Sequence, residues 1–276
     1  MKNVNINGNT IEYQEYGTGQ PLIFIHGTLS SGQTWRKIIP SLSKKYRCIV
    51  PEWPFGGHKV AVSQQVDLSP NGISDLIYQF FVAMNLSKAA IICNDTGGAY
   101  TQIFASKHQE MISQLVISNC EGFEIFPPKK FQSLQFMVQV PGYLWTMSKL
   151  FQYKPSLKWD LSFGLLSNAL NPEELYEHYA KHFVADDLIR ENFKRLVLGW
   201  NPKYTEKAAT DLKEFNKPVL ILWGMDDLDM FPLELGERIR NIFPNVEFVK
   251  IENAKTYVQE DNPQDFVEKI HQFLEV

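Results

Sequence analysis

The sequence predicts an α/β fold, a mostly parallel sheet flanked by helices, with a helical cap inserted into it. Short apolar runs alternate with helical patterns at both ends of the 276-residue chain, the grammar of a parallel sheet wrapped by helices. From residue 123 to 211 no strand pattern is recognisable, and aromatics are scattered through helical stretches broken by Pro127-Pro128, Pro155 and Pro172. Between these regions the apolar run Ala89 to Cys93 turns abruptly into a helical pattern at Asn94-Asp95-Thr96-Gly97-Gly98. The core is therefore expected over 1–122 and 212–276, and the cap over 123–211.

Asn3 to Tyr16 alternates apolar and polar residues about Asn7-Gly8-Asn9, which predicts a β-hairpin. Pro21 to Ile25 is continuously apolar, as a strand buried on both faces should be, and ends in His26-Gly27-Thr28. Trp35, Ile38, Ile39 and Leu42 have helical spacing, and Tyr46 to Val50 reads as the next strand. The loop Pro51 to His58 is rich in Pro and Gly and cannot continue that strand. Ser69-Pro70 opens a helix with Ile73, Leu76, Ile77, Phe80, Phe81 and Met84 on one face, Pro occupying the favoured first position. The strand Ala89 to Cys93, its helix to about Gln109 and a strand from Leu115 to Ser118 follow. Beyond the cap, Pro218 to Gly224 is a buried strand, Pro232 to Asn241 a helix, Val246 to Ile251 the last strand and Pro263 to Leu274 the closing helix.

A net charge of −4 and the lack of a long basic run argue against a nucleic-acid partner and leave a small, uncharged molecule as the expected one. No apolar run approaches the ~20 residues of a membrane helix, and Met1 to Asn5 lacks the apolar core of a signal peptide; no membrane association and a cytoplasmic location are expected. Cys48, Cys93 and Cys120 lie in or beside apolar runs and read as buried thiols, not as a disulfide frame or a metal site. His178 and His182 are one helical turn apart but lack a third ligand, and no Lys for binding phosphate follows the Gly-rich turn, so neither metal nor cofactor is implied. The oligomeric state is left open.

Asn94-Asp95-Thr96-Gly97-Gly98 has the layout of a nucleophile elbow, a tight turn that exposes one side chain above the sheet edge. Glycines are needed there because the helix must pack closely on the strand. Asp95 stands at the tip, and Cys93 at the first small position. The alternative is an ordinary strand-to-helix turn with Asp95 as N-cap. His58, in a loop that should open on the same sheet edge, is the candidate base, with a structural histidine as its alternative. Aromatics of the cap, Tyr143 and Trp145 among them, are expected to line an apolar cavity.

From His26-Gly27 through the elbow to Trp223-Gly224-Met225-Asp226-Asp227, Ala254 and Glu260-Asp261-Asn262-Pro263, the chain closely resembles the α/β-hydrolase superfamily. The Asp at the elbow and the loop His26-Gly27-Thr28-Leu29-Ser30-Ser31 resemble the branch of haloalkane dehalogenases and epoxide hydrolases. That resemblance implies Asp95 as nucleophile, the N–H groups of Thr28 and Thr96 as oxyanion hole, and His26 as a residue shaping that loop. It implies Asp227, or Glu121 after the sixth strand, as the acid that orients a histidine. Two departures stand out. Dehalogenases hold the halide with an Asn and a Trp where this chain has Thr28 and Thr96, which makes dehalogenation unexpected. The catalytic His of the superfamily corresponds to Thr256, in Asn253-Ala254-Lys255-Thr256-Tyr257, so no imidazole is at hand to activate water. Hydrolase-like proteins with the same Asn-Asp-Thr-Gly-Gly elbow and a Thr in place of His are also similar.

The expected function is thus a hydrolase acting on a small apolar epoxide, activated ester or lactone, with Asp95 as nucleophile and a cap tyrosine such as Tyr143 or Tyr153 protonating the leaving oxygen. The alternatives are a non-hydrolytic lyase or isomerase using Asp95 as general base, and a ligand-binding protein without chemistry.

Overall fold

The computed structural model describes residues 1–275. Eight strands form one sheet: β1 (Lys2–Ile6), β2 (Asn9–Tyr16), β3 (Pro21–Ile25), β4 (Arg47–Pro51), β5 (Ala89–Cys93), β6 (Ile112–Ser118), β7 (Val219–Gly224) and β8 (Val246–Ile251). Their order across the sheet is β1-β2-β4-β3-β5-β6-β7-β8, with β1, β2 and β4 antiparallel to one another in sequence of pairing and every later pair parallel. The alternation of strand and helix is the reason: a parallel neighbour needs a crossover, and each crossover here is a helix.

The inner strands are apolar on both faces because both are covered. Along β5, Ile91 and Cys93 join Ile23, Ile25, Leu115, Ile117 and Ile221 in one core layer. Ala90 and Ile92 join Leu22, Phe24, Val116 and Leu220 in the other, under Trp35, Leu42, Phe266 and Ile270. The period of two is thus present within runs that look uniformly apolar in the sequence.

The helix Pro70–Ala83 begins where Ser69 caps it, its hydroxyl accepting from the Gly72 N–H at 3.2 Å. The strand Ala89 to Cys93 and the closing helix Pro263–Leu274 have the expected bounds. The helix expected through Trp35 and Leu42 is instead a 3₁₀ turn, Gly32–Trp35, and a short helix, Ile39–Leu42. Pro40, the second residue of the later helix, prevents one continuous helix, because it has no N–H for the Arg36 carbonyl and its ring crowds that oxygen.

Between β6 and β7 the described residues contain helices and turns and no strand, the longest helices being Tyr143–Gln152, Asp187–Gly199 and Pro202–Asp211. The Trp200 indole N–H donates to the Tyr100 hydroxyl at 2.9 Å, which ties this segment to the helix Thr96–Lys107. Among the described residues no helix is long and apolar enough to cross a membrane.

Candidate active site

β5 lies in the middle of the sheet, Ile92 pairing with Phe24 on one side and Val116 on the other. At its carboxyl end the chain enters the helix Thr96–Lys107 after two residues, and Asp95 carries the turn at φ 55°, ψ −143°. A non-glycine residue in that region costs on the order of 1–3 kcal/mol. The turn persists because its neighbours hold it: the Asp95 N–H donates to Asn119 O at 2.8 Å, the Gly98 N–H to Asp95 O at 2.7 Å, and the Asn94 N–H to Ile25 O at 3.2 Å. Asp95 occupies the N-cap position of the helix it precedes, but its side chain makes no capping hydrogen bond there.

Two glycines make room for this arrangement. A Cβ on Gly97 would lie 2.5 Å from the carbonyl oxygens of Ile25 and His26, and a Cβ on Gly27 would lie 2.0 Å from Asp95 Oδ2. The loop after β3 therefore passes directly against the carboxylate.

Above the elbow is a cavity of about 180 Å³. Thr28, Asp95, Thr96 and Glu121 form its polar end, while Tyr143, Met147, Phe151 and Phe163 from the helical segment supply apolar walls, with Phe193 and Trp200. Such a lining suits a small apolar ligand with one polar group.

Three carboxyl groups come together at this sheet edge. Burial pushes Asp95 up to about 7; the Thr96 amide draws it back in part and the charge on Asp227 adds to the rise. Glu121 is held well above the usual carboxylate range, first by burial and then by the charge on Asp95. The Thr96 hydroxyl donates to Glu121 Oε1 at 3.1 Å, and Glu121 Oε2 has no partner among the described residues. Asp227 is also raised by burial, although four groups donate to it: Thr256 Oγ1 and Asn119 Nδ2 to Oδ2, and the N–H groups of Met230 and Phe231 to Oδ1. Lys130, the cation in the cavity lining, is paired with Asp229 at 3.0 Å.

The remaining expected site residues divide between those that reach the cavity and those that do not. Thr28 lines it, and its hydroxyl is buried without a partner. Tyr143 lines it half-buried. Thr256 is fully buried behind Asp227, its carbonyl accepting from Asn94 Nδ2 at 2.7 Å.

Trp145 does not line the cavity: it is 59% exposed on the outer side of Tyr143–Gln152, since residues two apart on a helix cannot share a face. Tyr153 is likewise on the surface. His58 is no free base. Its Nδ1 accepts from the Gly56 N–H at 3.2 Å, its Nε2 faces Asn192 Oδ1 at 3.2 Å, and burial pulls its pKa down to about 4. His26 is similarly engaged, Nδ1 at 2.9 Å from Gly27 O and Nε2 accepting from the Trp53 N–H at 3.0 Å, and burial lowers it to about 3. It holds the loop that carries Gly27 and Thr28.

Two further polar groups escaped the sequence reading. Ser162, in the cavity lining, and Tyr257, next to Thr256, each have a buried hydroxyl without a hydrogen-bond partner. Tyr257 stood beside the vacated histidine position, which was a usable signal; nothing in the spacing pointed to Ser162. Among the described residues no three acidic, His or Cys side chains are arranged to hold a metal ion.

Comparison with known proteins agrees with this architecture. Residues 20–263 match the family model for the alpha/beta hydrolase fold, and the chain belongs to that family. It is 23% identical to an uncharacterized hydrolase of Bacillus subtilis, YugF, over 99% of this chain and 97% of that one. It is 24% identical to a cis-3-alkyl-4-alkyloxetan-2-one decarboxylase of Xanthomonas campestris, over 97% of this chain and 93% of the other. A crystal structure of an alpha/beta hydrolase fold protein from Burkholderia ambifaria superposes with a TM-score of 0.81 at 22% identity, covering 98% and 97% of the two chains. Its curated relatives thus include a protein named as a hydrolase and one named as a decarboxylase, and hydrolase names within this family support reading the chain as an enzyme.

Proposed function

We propose that this protein is a hydrolase that opens a strained or activated C–O bond in a small apolar molecule, an epoxide, a lactone or an activated ester, with Asp95 as nucleophile. The observation that carries the reading is the strained backbone of Asp95, whose carboxyl group is presented to an apolar cavity beside the unpartnered Thr28 hydroxyl. A strained conformation at a buried carboxylate costs stability and persists where the surrounding contacts enforce it, as at nucleophiles.

In this reading an Asp95 oxygen attacks the electrophilic carbon and the C–O bond breaks, which leaves an ester to Asp95 where that carbon is an alkyl carbon, as in an epoxide, and a mixed anhydride where it is an acyl carbon. Thr28 and the Thr96 amide stabilise charge at the ester carbonyl when water later attacks it. Tyr143, whose pKa burial raises, stays protonated and donates a hydrogen bond to the departing oxygen. Asp227, saturated by four donors, holds the loops after β7 and β8 together. The similarity to a decarboxylase named for an oxetanone, a four-membered lactone, supports strained oxygen rings as the substrate class.

A second reading rests on one observation. With its carboxyl pushed up to about 7, Asp95 has the affinity of a general base at neutral pH, which suits elimination or isomerisation. Incubation with epoxides, lactones and activated esters, followed by intact-protein mass spectrometry and product analysis in ¹⁸O-water, separates the two. Hydrolysis puts the label in the product and, under single turnover, in Asp95; Asp95→Asn abolishes both. Product without label favours the base reading. Turnover that survives Asp95→Asn removes Asp95 from either role.

A further inference from the structure

Hydrolysis through an ester at Asp95 needs two proton transfers, one to the leaving oxygen and one from the attacking water, and the groups nearest Asp95 include no available imidazole. Glu121 lies in the same cavity lining as Asp95. Its backbone is fixed by Gln102, which donates to Glu121 O at 2.8 Å, and one carboxyl oxygen is fixed by the hydroxyl of Thr96, the residue directly after the nucleophile. The other oxygen, Oε2, is buried and unpartnered. A side chain only 2% exposed with one free carboxyl oxygen is an expensive structural element unless something approaches that oxygen.

We propose, resting on the reading of Asp95 as nucleophile, that Glu121 does the proton work of the absent histidine, acting as general acid when the ester forms and as general base when water cleaves it. The surroundings supply the starting state. Glu121 faces Asp95, Asp227, Tyr100, Tyr257 and Cys120, none of them cationic, and Lys130 is neutralised by Asp229. Two carboxyl groups so placed hold one negative charge between them. At rest the charge is on Asp95 and the proton on Glu121.

The cycle then balances. Asp95 attacks a ring carbon, the C–O bond breaks, and the ring oxygen takes the proton of Glu121, leaving a neutral ester and an ionised Glu121. The charge that held Glu121 protonated has disappeared from Asp95 at that moment, so the carboxylate is free to persist. It then removes a proton from water; the hydroxide adds to the Asp95 carbonyl carbon, the ester C–O bond breaks, the leaving alkoxide takes the proton of the added hydroxyl, and a diol or hydroxy acid leaves. Asp95 is again the carboxylate and Glu121 again the acid. One charge moves between two carboxyl groups, and no other acid or base is required.

The test uses the full chain, Glu121→Gln and Asp95→Asn, with styrene oxide and with benzyl bromide as probes. Benzyl bromide needs no proton for its leaving group. We expect Glu121→Gln to lower kcat on the epoxide by roughly 10²-fold or more, while still accumulating a benzyl adduct on Asp95 that the parent chain discharges. Asp95→Asn should form no adduct with either probe. If Glu121→Gln turns over like the parent while Asp95→Asn is dead, the Glu121 assignment falls and the nucleophile stands. If Glu121→Gln, melting like the parent, forms no benzyl adduct where the parent does, Glu121 is needed for alkylation itself and the base role is overturned. If the parent reacts with neither probe and turns over no lactone or activated ester either, the hydrolase reading falls and takes this assignment with it.

Discussion

The hydroxyl of Thr256 donates to Asp227 Oδ2, so the position after β8 that faces the acid after β7 carries a hydroxyl that cannot take up a proton near neutral pH. Asp227 receives three other hydrogen bonds, from Asn119, Met230 and Phe231, and is buried away from the cavity lining. These bonds tie together the segments that follow β6, β7 and β8. Thr256→Val removes a donor to a buried carboxylate and should cost about 1.5–3 kcal/mol in chemical denaturation. With Asp227 outside the proton path, kcat/KM should stay within about threefold of the parent, which is under 1 kcal/mol of barrier. A drop of two orders of magnitude would put Asp227 in that path.

Stability should fall as the pH rises toward neutrality. Asp95 is raised to about 7 from the ordinary 3.8 of a free aspartate, so the folded chain binds more protons than the unfolded one between those values. Its contribution is complete below about pH 4 and is lost as pH passes 7. Glu121 is raised in the same direction, and Glu52, pushed up to about 7 by burial, adds a like effect away from the cavity. Asp95→Asn should raise Tm at pH 8, by roughly 2–4 °C per kcal/mol recovered, and flatten part of the pH dependence. Melting curves from pH 4 to 8 for both chains check the sign.

Gly27→Ala should remove activity out of proportion to stability. The new Cβ would meet Asp95 Oδ2 at 2.0 Å, so the carboxylate or the loop must move. Overpacking of this kind costs about 1–3 kcal/mol, while a nucleophile displaced by about 1 Å loses on the order of 10² in rate. Turnover and denaturant midpoint measured on the same sample give both numbers.

His58 should prove structural. His58→Gln retains groups able to meet Gly56 and Asn192 and should keep activity within about threefold, or under 1 kcal/mol of barrier. His58→Ala leaves the Gly56 N–H and the Asn192 amide short of a buried partner and should cost about 1–3 kcal/mol. The pH–rate profile of the parent should show no limb that His58→Gln removes.

Much of this was legible before any coordinates. The bounds of β5 and of Pro263–Leu274 follow from apolar continuity, a Pro at the first helical position and an Asn ahead of it, all local features. So does the elbow, since the small residues that admit its geometry are adjacent in sequence. The break before Ile39 is local too: the helical spacing of Trp35, Ile38, Ile39 and Leu42 points to one helix, and Pro40 limits it to a short one. Trp145 and His58 failed for another reason: each has a plausible residue type, and only burial and partners assign its role.

By itself, then, the sequence determined the α/β class, the order of elements and the place of Asp95 at the tip of the strand-to-helix turn, because hydrophobic period, turn chemistry and steric need for glycine are written over short spans of chain. Only the tertiary structure decided which distant groups meet Asp95. Glu121, Asp227, Thr256, Tyr257 and the cavity wall come from three separate loops and an inserted segment, and their pairing depends on how strand ends register across the sheet. Electrostatics follows the same division. A carboxyl group is ordinary in sequence, and becomes a base or an acid at neutral pH only when burial and a neighbouring charge make its ionised form costly.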